Sequence, residues 1–228
     1  MKFQSIIAAL SGLTITLASP IVEQPERRAV VSGGNATFYG GNIGGGHCSF
    51  TTMGRIPNGM FGTAFSGQVW NHGGMCGSCL KVTRGSKSIT VMVVDECPEC
   101  DQKHLDLFKD GFLKLGTEAE GIIPISYEVV NCGIASPLKL VNKVGTTRWW
   151  FSMQVVNANG AVKSLEVSTN GGKTWQPTTR RDYNFFEKNT GFGTEKVSVR
   201  VTGATGKSVI THNVGVGSQT QFTAAGNI

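Results

Sequence analysis

An apolar run, Ile89 to Val94, ends in a carboxylate, Asp95. A loop punctuated by Cys97, Pro98 and Cys100 follows, and Asp106 then opens a segment in which Leu107, Phe108, Phe112 and Leu115 recur at helical spacing, with Gly116 as a stop. The pattern predicts a buried strand delivering Asp95, a stapled loop, and a helix start delivering Asp106. Two acids would then share one rim, the arrangement that glycosidic chemistry uses, one as acid and one as base. A purely structural account also fits: Asp95 ends a strand, and Asp106 is a helix N-cap.

The rest of the chain reads as short strands and turns. Asn35 to Tyr39 alternates and runs into Gly40-Gly41; Gly44 to His47 is a loop, and Gly67 to Val69 followed by Asn71-His72-Gly73-Gly74 makes a turn. Cys79 to Val82 and Ser88 to Val94 are strands joined at Arg84-Gly85, and Ile122 to Val130 returns as another. Ile134 to Leu138 is a short linker containing Pro137. Beyond it, Thr147 to Val156, Val162 to Ser168, Lys173 to Trp175, Lys196 to Thr202 and Ser208 to Asn213 read as evenly spaced strands with no helix. Asn170-Gly171 signals a hairpin, hence antiparallel pairing. This spacing predicts a β-sandwich of about 90 residues. Strict alternation sends Trp149 and Trp150 to opposite faces, so that only a bulge or a strand end lets both face outward. Trp175, beside the hairpin, is assigned to the core.

Composition adds a compartment and a charge split. Lys2, the apolar stretch Ile6 to Leu17 and the small residues Ala18-Ser19 read as a signal peptide over residues 1–18, and residues 19–28 as a propeptide ending at Arg27-Arg28. No other stretch is apolar enough to span a bilayer. Without residues 1–28 the formal charge falls from +6 to +5. From Ala29 to Leu138 there are 7 basic and 9 acidic residues, but from Lys139 to Ile228 there are 11 against 4. Secretion makes acidic wall polysaccharide, not nucleic acid, the partner of that basic half. Cys48, Cys76, Cys79, Cys97, Cys100 and Cys132 all precede it. The two Cys-x-x-Cys pairs also fit a four-cysteine zinc site, yet an even count in a secreted chain favours three disulfides and no metal. Spacing does not choose the pairing. Asn35-Ala36-Thr37 is a sequon, making Asn35 a candidate glycosylation site.

Several motifs in order carry a resemblance. Ala36-Thr-Phe-Tyr-Gly-Gly41, Gly46-His-Cys-Ser-Phe50, Cys76-Gly-Ser-Cys79, Val94-Asp-Glu-Cys-Pro98 and His104-Leu-Asp106 resemble the expansins, and the similarity continues through the second half. The resemblance implies a mainly β chain. A six-stranded double-psi β-barrel, like that of the family-45 endoglucanases, would occupy residues 29–133. A linker, 134–138, would lead to an immunoglobulin-like, carbohydrate-binding β-sandwich over 139–228, related to grass-pollen allergens.

Position by position, Asp106 resembles the family's essential aspartate, Asp95 the aspartate closing the neighbouring strand, and Thr37 and Tyr39 the pair near the start of the barrel. Trp149, Trp150 and Tyr183 match a linear aromatic platform, with Lys143 beside it. The family pattern pairs Cys48–Cys76, Cys79–Cys132 and Cys97–Cys100. Two positions depart: Cys97 stands where many bacterial members have a groove tyrosine, and Leu105 replaces the phenylalanine of the plant pattern.

The implied function is non-hydrolytic loosening of plant cell walls. A monomer without cofactor would bind cellulose, xyloglucan and acidic wall polysaccharides. Two alternatives stand beside it, a weak endoglucanase and a wall-binding lectin or effector. Inverting hydrolysis needs a base about 6.5–9.5 Å from the acid. In the related enzymes the base follows the Thr-x-Tyr segment, where Gly40-Gly41-Asn42 offers no carboxylate, and Asp95 reads as too near to Asp106 to replace it.

Overall fold

The computed structural model describes residues 29–228; the expected signal peptide and propeptide lie outside them. Six strands form a closed barrel: β1 (Val31–Tyr39), β2 (Phe61–Ser66), β3 (Cys79–Arg84), β4 (Lys87–Cys97), β5 (Leu105–Phe108) and β6 (Ile123–Val130), in the order β1-β5-β2-β4-β3-β6. The pairs β1/β5 and β2/β4 are parallel, and the other four are antiparallel. Closure removes the exposed strand edges that an open sheet of this size would present. The interior is filled by Leu80, Val82, Val91, Leu105, Leu107 and Phe112, all fully buried. Disulfides join Cys48 to Cys76, Cys79 to Cys132 and Cys97 to Cys100. Their sulfurs bond to one another, which removes the thiolates that zinc would need.

Within the barrel the structure departs from the sequence reading at three places. Asp106 does not open a helix: it lies within β5, and α1 spans only Lys109–Leu115, with Phe108 at its N-cap position and no side-chain cap. The spacing of Leu107, Phe108, Phe112 and Leu115 misled because strand runs directly into helix. Both β5 leucines face the barrel interior, as do Phe112 and Leu115 of α1. Asp95 does not close its strand, since β4 continues to Cys97. A whole strand, β2, escaped the pattern. It is buried along nearly its entire length, so it lacks the alternation that marks a half-exposed strand.

Beyond Gly133, two sheets enclose a second core. One has the order β10-β9-β13-β14, from β9 (Val162–Ser168), β10 (Gln176–Pro177), β13 (Lys196–Gly203) and β14 (Ser208–Gly215). The other runs β11-β12-β8-β7-β15, from β7 (Lys139–Asn142), β8 (Phe151–Val156), β11 (Thr179–Arg180), β12 (Phe186–Lys188) and β15 (Gln221–Thr223). Leu140, Phe151, Met153 and Phe186 from the second sheet pack with Leu165, Val167, Val199 and Val201 from the first. The expected strand Thr147–Val156 starts only at Phe151, because residues 147–150 form a turn closed between Thr147 and Trp150. Lys173 to Trp175 is not a strand. Asn170-Gly171 lies in a longer connection between β9 and β10, held by Asn170 and Thr174. Trp175 is not in the core either: it is half-buried, with the Arg200 guanidinium 4.5 Å from its ring centre. Among the described residues no helix is long and apolar enough to cross a membrane.

The two bodies meet through hydrogen bonds. The carbonyl of Cys48 accepts from Gln154 Nε2 at 2.8 Å and from Asn184 Nδ2 at 3.3 Å. Trp70 Nε1 donates to the carbonyl of Asp182, and His72 Nδ1 lies 2.6 Å from Asp182 Oδ1. Arg180 bridges the junction, donating to the carbonyls of Gly73 in the barrel and Val162 in β9. Burial lowers the Arg180 pKa to about 10, which leaves it charged at neutral pH. Removing it orphans two carbonyls, each costing about 1–3 kcal/mol when buried. Arg180→Ala is therefore expected to lower stability by about 2–5 kcal/mol and to loosen the junction. Thermal melts check the first outcome, and an increased radius of gyration by small-angle scattering checks the second. Removing the exposed His72 side chain is expected to cost under about 1 kcal/mol.

Candidate functional site

The barrel aligns four residues across four strands. Thr37 on β1 is in register with Asp106 on β5, Asp106 with Ala64 on β2, and Ala64 with Asp95 on β4. In-register neighbours share a face of the sheet. Because Leu105 and Leu107 point inward, this row points out. Asp95 joins it through an irregularity in β4: Thr63 opposes Val93 but Ala64 opposes Asp95, leaving Val94 unopposed. A bulge of this kind re-aims every later side chain. The two carboxylates thus stand on strands flanking β2, with backbones about 10 Å apart. Proximity does not disqualify Asp95 as a partner of Asp106, contrary to the sequence reading.

Hydrogen bonding does restrict it. Asp95 Oδ1 accepts from the backbone N–H of His47 at 2.6 Å and of Glu96 at 2.9 Å, and Oδ2 accepts from the Tyr39 hydroxyl at 3.0 Å. Three donors occupy most of the lone-pair sites of a carboxylate, leaving little capacity to activate a water. Gly46 permits this cradle, since a Cβ there would lie 2.3 Å from the carbonyl oxygen of Val94. Burial and the Asp95 charge push the Tyr39 phenol far up, so it stays a donor.

Asp106 is held differently. The Thr37 hydroxyl donates to Oδ1 at 2.6 Å, and His104 Nε2 lies 2.9 Å from the same hydroxyl oxygen. A hydroxyl has one proton, already given to Asp106, so His104 is the donor to Thr37. Burial raises the Asp106 carboxyl above the ordinary aspartate range; the Thr37 hydrogen bond and His104 pull the other way, while the charges of Glu99 and Asp95 add to the rise. A half-buried carboxyl of raised pKa suits proton donation. His47, Glu96 and Glu99 were missed by sequence reasoning, because only the folded loops bring them here: His47 Nε2 is 3.7 Å from Glu96, and its ring stands edge-on to Trp70 at 5.8 Å. Asn35 is exposed on β1, lining a polar cleft with Gln68, Asp101 and His104.

The second body presents aromatics at the turn between β7 and β8. Trp149 is 63% exposed, with the Arg148 guanidinium 4.9 Å from its ring centre. Trp150 is half-buried. The turn is a strand end, so alternation does not drive either indole into the core. Gly191, at φ +59°, braces it, because a Cβ there would collide with the Arg148 carbonyl. Tyr183 is half-buried, and Lys143 Nζ sits 4.1 Å from its ring centre and 5.2 Å from that of Phe185.

Beneath this group lies Glu187, 5% exposed. It accepts from the Tyr183 hydroxyl at 2.7 Å, Ser152 Oγ at 3.0 Å and Arg181 Nε at 2.8 Å, with Lys143 Nζ at 3.8 Å. Burial raises the Glu187 carboxyl, but those hydrogen bonds outweigh it and hold it below the usual value. Burial and Glu187 together push the Tyr183 phenol up to about 12. Nothing in the sequence marked Glu187 as the anchor of this cluster, since a lone glutamate in a strand reads as a solvated face. Neither body shows, among its described residues, a cluster of three or more His, Cys, Asp or Glu placed to hold a metal.

Comparison with known proteins places this geometry in context. Residues 62–127 match a family model described as lytic transglycolase. The chain is similar to Expansin-YoaJ of Bacillus subtilis (strain 168), with 33% identity over 212 residues, covering 91% of this chain and 88% of that one. It is 29% identical over 187 residues to Expansin-like protein 5 of Dictyostelium discoideum, covering 78% of each. Among solved structures, the apo expansin of Clavibacter michiganensis superposes with a TM-score of 0.76 at 30% identity, covering 87% of this chain and 98% of that one. A mutant of that expansin in complex with cellohexaose gives 0.75 at 30% identity, covering 86% and 96%.

The raised carboxyl of Asp106 has a consequence for stability. A group whose folded pKa exceeds its unfolded value favours the fold when protonated, and that contribution is lost as pH rises through the folded pKa. Wild-type stability is therefore expected to fall relative to Asp106→Asn as pH rises from below the ordinary aspartate value through the raised one. Paired denaturant titrations across that window check it, and a difference that stays flat with pH removes the claim. Carboxyl carbon NMR is expected to show Asp106 titrating above the ordinary aspartate value.

Proposed function

The chain belongs to the expansin family, and from that premise we propose that it is a secreted, non-hydrolytic protein that loosens plant cell walls. It does so by binding cellulose and associated xyloglucan and disrupting glucan–glucan contacts. The observation that carries the reading is the state of the two groove aspartates. Asp106 is placed and tuned to interact with a glycosidic oxygen or hydroxyl, while Asp95 is tied down by three donors and has no free carboxylate beside it in the Gly40-Gly41-Asn42 segment. An acid without a free base holds a sugar chain but does not drive water onto it. Thr37 and Tyr39 set the two carboxylates in this account, and Cys97, engaged with Cys100, makes no tyrosine-like contact there.

The reading extends to the second body as a carbohydrate-binding β-sandwich with immunoglobulin-like layering, covering residues 139–228 after the linker 134–138. Trp149, Trp150, Tyr183 and Lys143 form its binding face. Flat aromatic rings lie against the apolar face of a glucan at small entropic cost. Support comes from the cellohexaose complex of the similar Clavibacter protein and from a physical path between the two faces. Asp95 holds the His47 backbone, the His47 ring lies against Trp70, Trp70 binds Asp182, and Tyr183 follows. Three disulfides favour an oxidising, extracellular setting. The Asn35 sequon, if used, places a glycan at the His104 end of the groove.

Charge gives acidic wall polysaccharides a separate part. All four acids after Leu138 are already engaged: Glu166 by Arg200, Asp182 by His72, Glu187 by Lys143 and Arg181, and Glu195 by Arg148. Lys139, Lys163, Lys173, Lys196 and Lys207 have no ion-pair partner among the described residues. Their attraction to polyanions decays over a Debye length of about 8 Å at physiological salt.

The reading carries expectations for the groove and for the second body. Pure protein should extend heat-inactivated walls under load without releasing soluble sugar from amorphous cellulose or xyloglucan, and Asp106→Ala should abolish extension while leaving cellulose binding intact. Reducing ends that accumulate steadily and disappear in Asp106→Asn would instead establish the endoglucanase alternative; cellulose binding with neither extension nor sugar release would leave the lectin. Added salt should strip the protein from pectin-rich walls while barely changing its binding to pure cellulose. Alanine at Trp149, Trp150 and Tyr183 should do the opposite, and cellulose binding that survives the triple substitution would remove these residues from the binding face.

A further inference from the structure

A cleft of about 810 Å³ opens where the barrel loop 52–59 meets the start of β7 and the end of β8. That volume falls within the range of small-molecule sites, and junctions between bodies are where such sites concentrate. Its rims are pre-formed. Asn58 Nδ2 donates to the carbonyls of Cys132 and Gly133, and Cys132 is stapled to Cys79. On the other side, Asn157 Nδ2 donates to Ser136 Oγ and to the carbonyl of Pro137 at 2.9 Å each. Its apolar lining is the partly exposed Ile56 and Pro57, above Val156, which is buried on the barrel core.

The charges in this cleft are one-sided. Arg55 and Lys139 line it, no Asp or Glu does, and neither cation has an ion-pair partner among the described residues. No aromatic ring lines it, so a neutral glucan would find little stacking surface and would only displace water from two cations. A chain bearing carboxylates gains what a neutral one lacks. A guanidinium donates two parallel hydrogen bonds to a carboxylate, an ammonium meets a second charge, and the partly exposed Ile56 and Pro57 take the apolar edge of a sugar ring.

We propose that this cleft binds a short stretch of uronic-acid polysaccharide, with Arg55 and Lys139 as its cationic contacts. The site stands apart from the aromatic face and from the Asp106 groove. It rests only on the reading that the protein meets acidic wall polysaccharide.

The experiment measures binding of an unesterified galacturonate oligomer, its methyl-esterified counterpart and cellohexaose by calorimetry. Arg55→Gln/Lys139→Gln is compared with Lys87→Gln/Lys114→Gln, which removes two exposed cations of the barrel that line no part of the cleft, and melting curves check that both fold. The first variant is expected to lose about tenfold or more in affinity for the unesterified oligomer, as two charge-assisted contacts imply. Its cellohexaose binding should be unchanged, and the second variant should bind the acidic oligomer nearly as wild type does. Esterification should weaken wild-type binding to a similar degree. The proposal is overturned if wild type binds no galacturonate, if the esterified oligomer binds as tightly, or if the two variants lose affinity equally, since equal losses would mean a diffuse field. Loss of cellohexaose binding in the aromatic triple variant, with galacturonate binding kept, would separate this site from the proposed cellulose face.

Discussion

One extra residue in β4 decides what the barrel can present. With Val94 unopposed, Asp95 falls on the outward row beside Ala64 and Asp106. Without that irregularity it would share the interior-facing side of Phe65, where an unpaired carboxylate costs several kcal/mol or stays protonated. The features around it follow from its position. Gly46 lets the loop approach β4 closely enough for the His47 N–H to reach Asp95, and Tyr39 crosses from β1 to cap the second oxygen. Held this way, Asp95 is tied by three donors, and Asp106, two strands away, is left as the carboxyl whose second oxygen has no protein donor among the described residues.

The junction between the two bodies is the second determinant, and directional hydrogen bonds surround its apolar contact through Val141 and Val156. The Cys48 carbonyl takes two amide donors from the second body, and Arg180 ties a barrel loop to β9. Hydrogen bonds are directional, so an interface built on them fixes an angle more sharply than apolar contact of the same size. The Cys48–Cys76 disulfide lies behind the loops that supply these groups. The result brings Trp70 and His72 next to Asp182, and so brings the groove side of the barrel next to the loop carrying Tyr183. Whether a glucan can meet both faces at once depends on this angle, which no local pattern encodes.

The second body also shows how a formal charge total hides its distribution. Its acids are few and each already has a basic side chain against it, so the remaining lysines are left unpaired among the described residues. Glu187 is the exception in kind, a buried carboxylate that holds Tyr183 by a hydrogen bond and Lys143 by an ion pair. A buried glutamate that accepts three hydrogen bonds beneath a half-buried aromatic gives that ring a defined orientation, which lowers the entropy lost when a ligand lies on it.

Much of this was legible along the chain. The apolar run before Asp95, the glycine-rich loops, the six cysteines confined to one half, and the charge step near Lys139 all reflect local demands: strand burial, turn geometry and composition. The ordered motifs around Thr37, Asp95 and Asp106 were enough to place the chain in its family. What failed locally failed for tertiary reasons. β2 is buried on both faces and so has no period, Asp106 sits in a strand because a barrel partner on each side overrides the helical spacing of its neighbours, and Trp175 lies outside the core on Arg200. The bulge at Val94, the donors around Asp95, the anchor at Glu187 and the angle at Cys48 each join residues far apart in the chain. Only closure of the barrel and docking of the second body bring those groups within hydrogen-bonding distance, so only the tertiary structure could decide them.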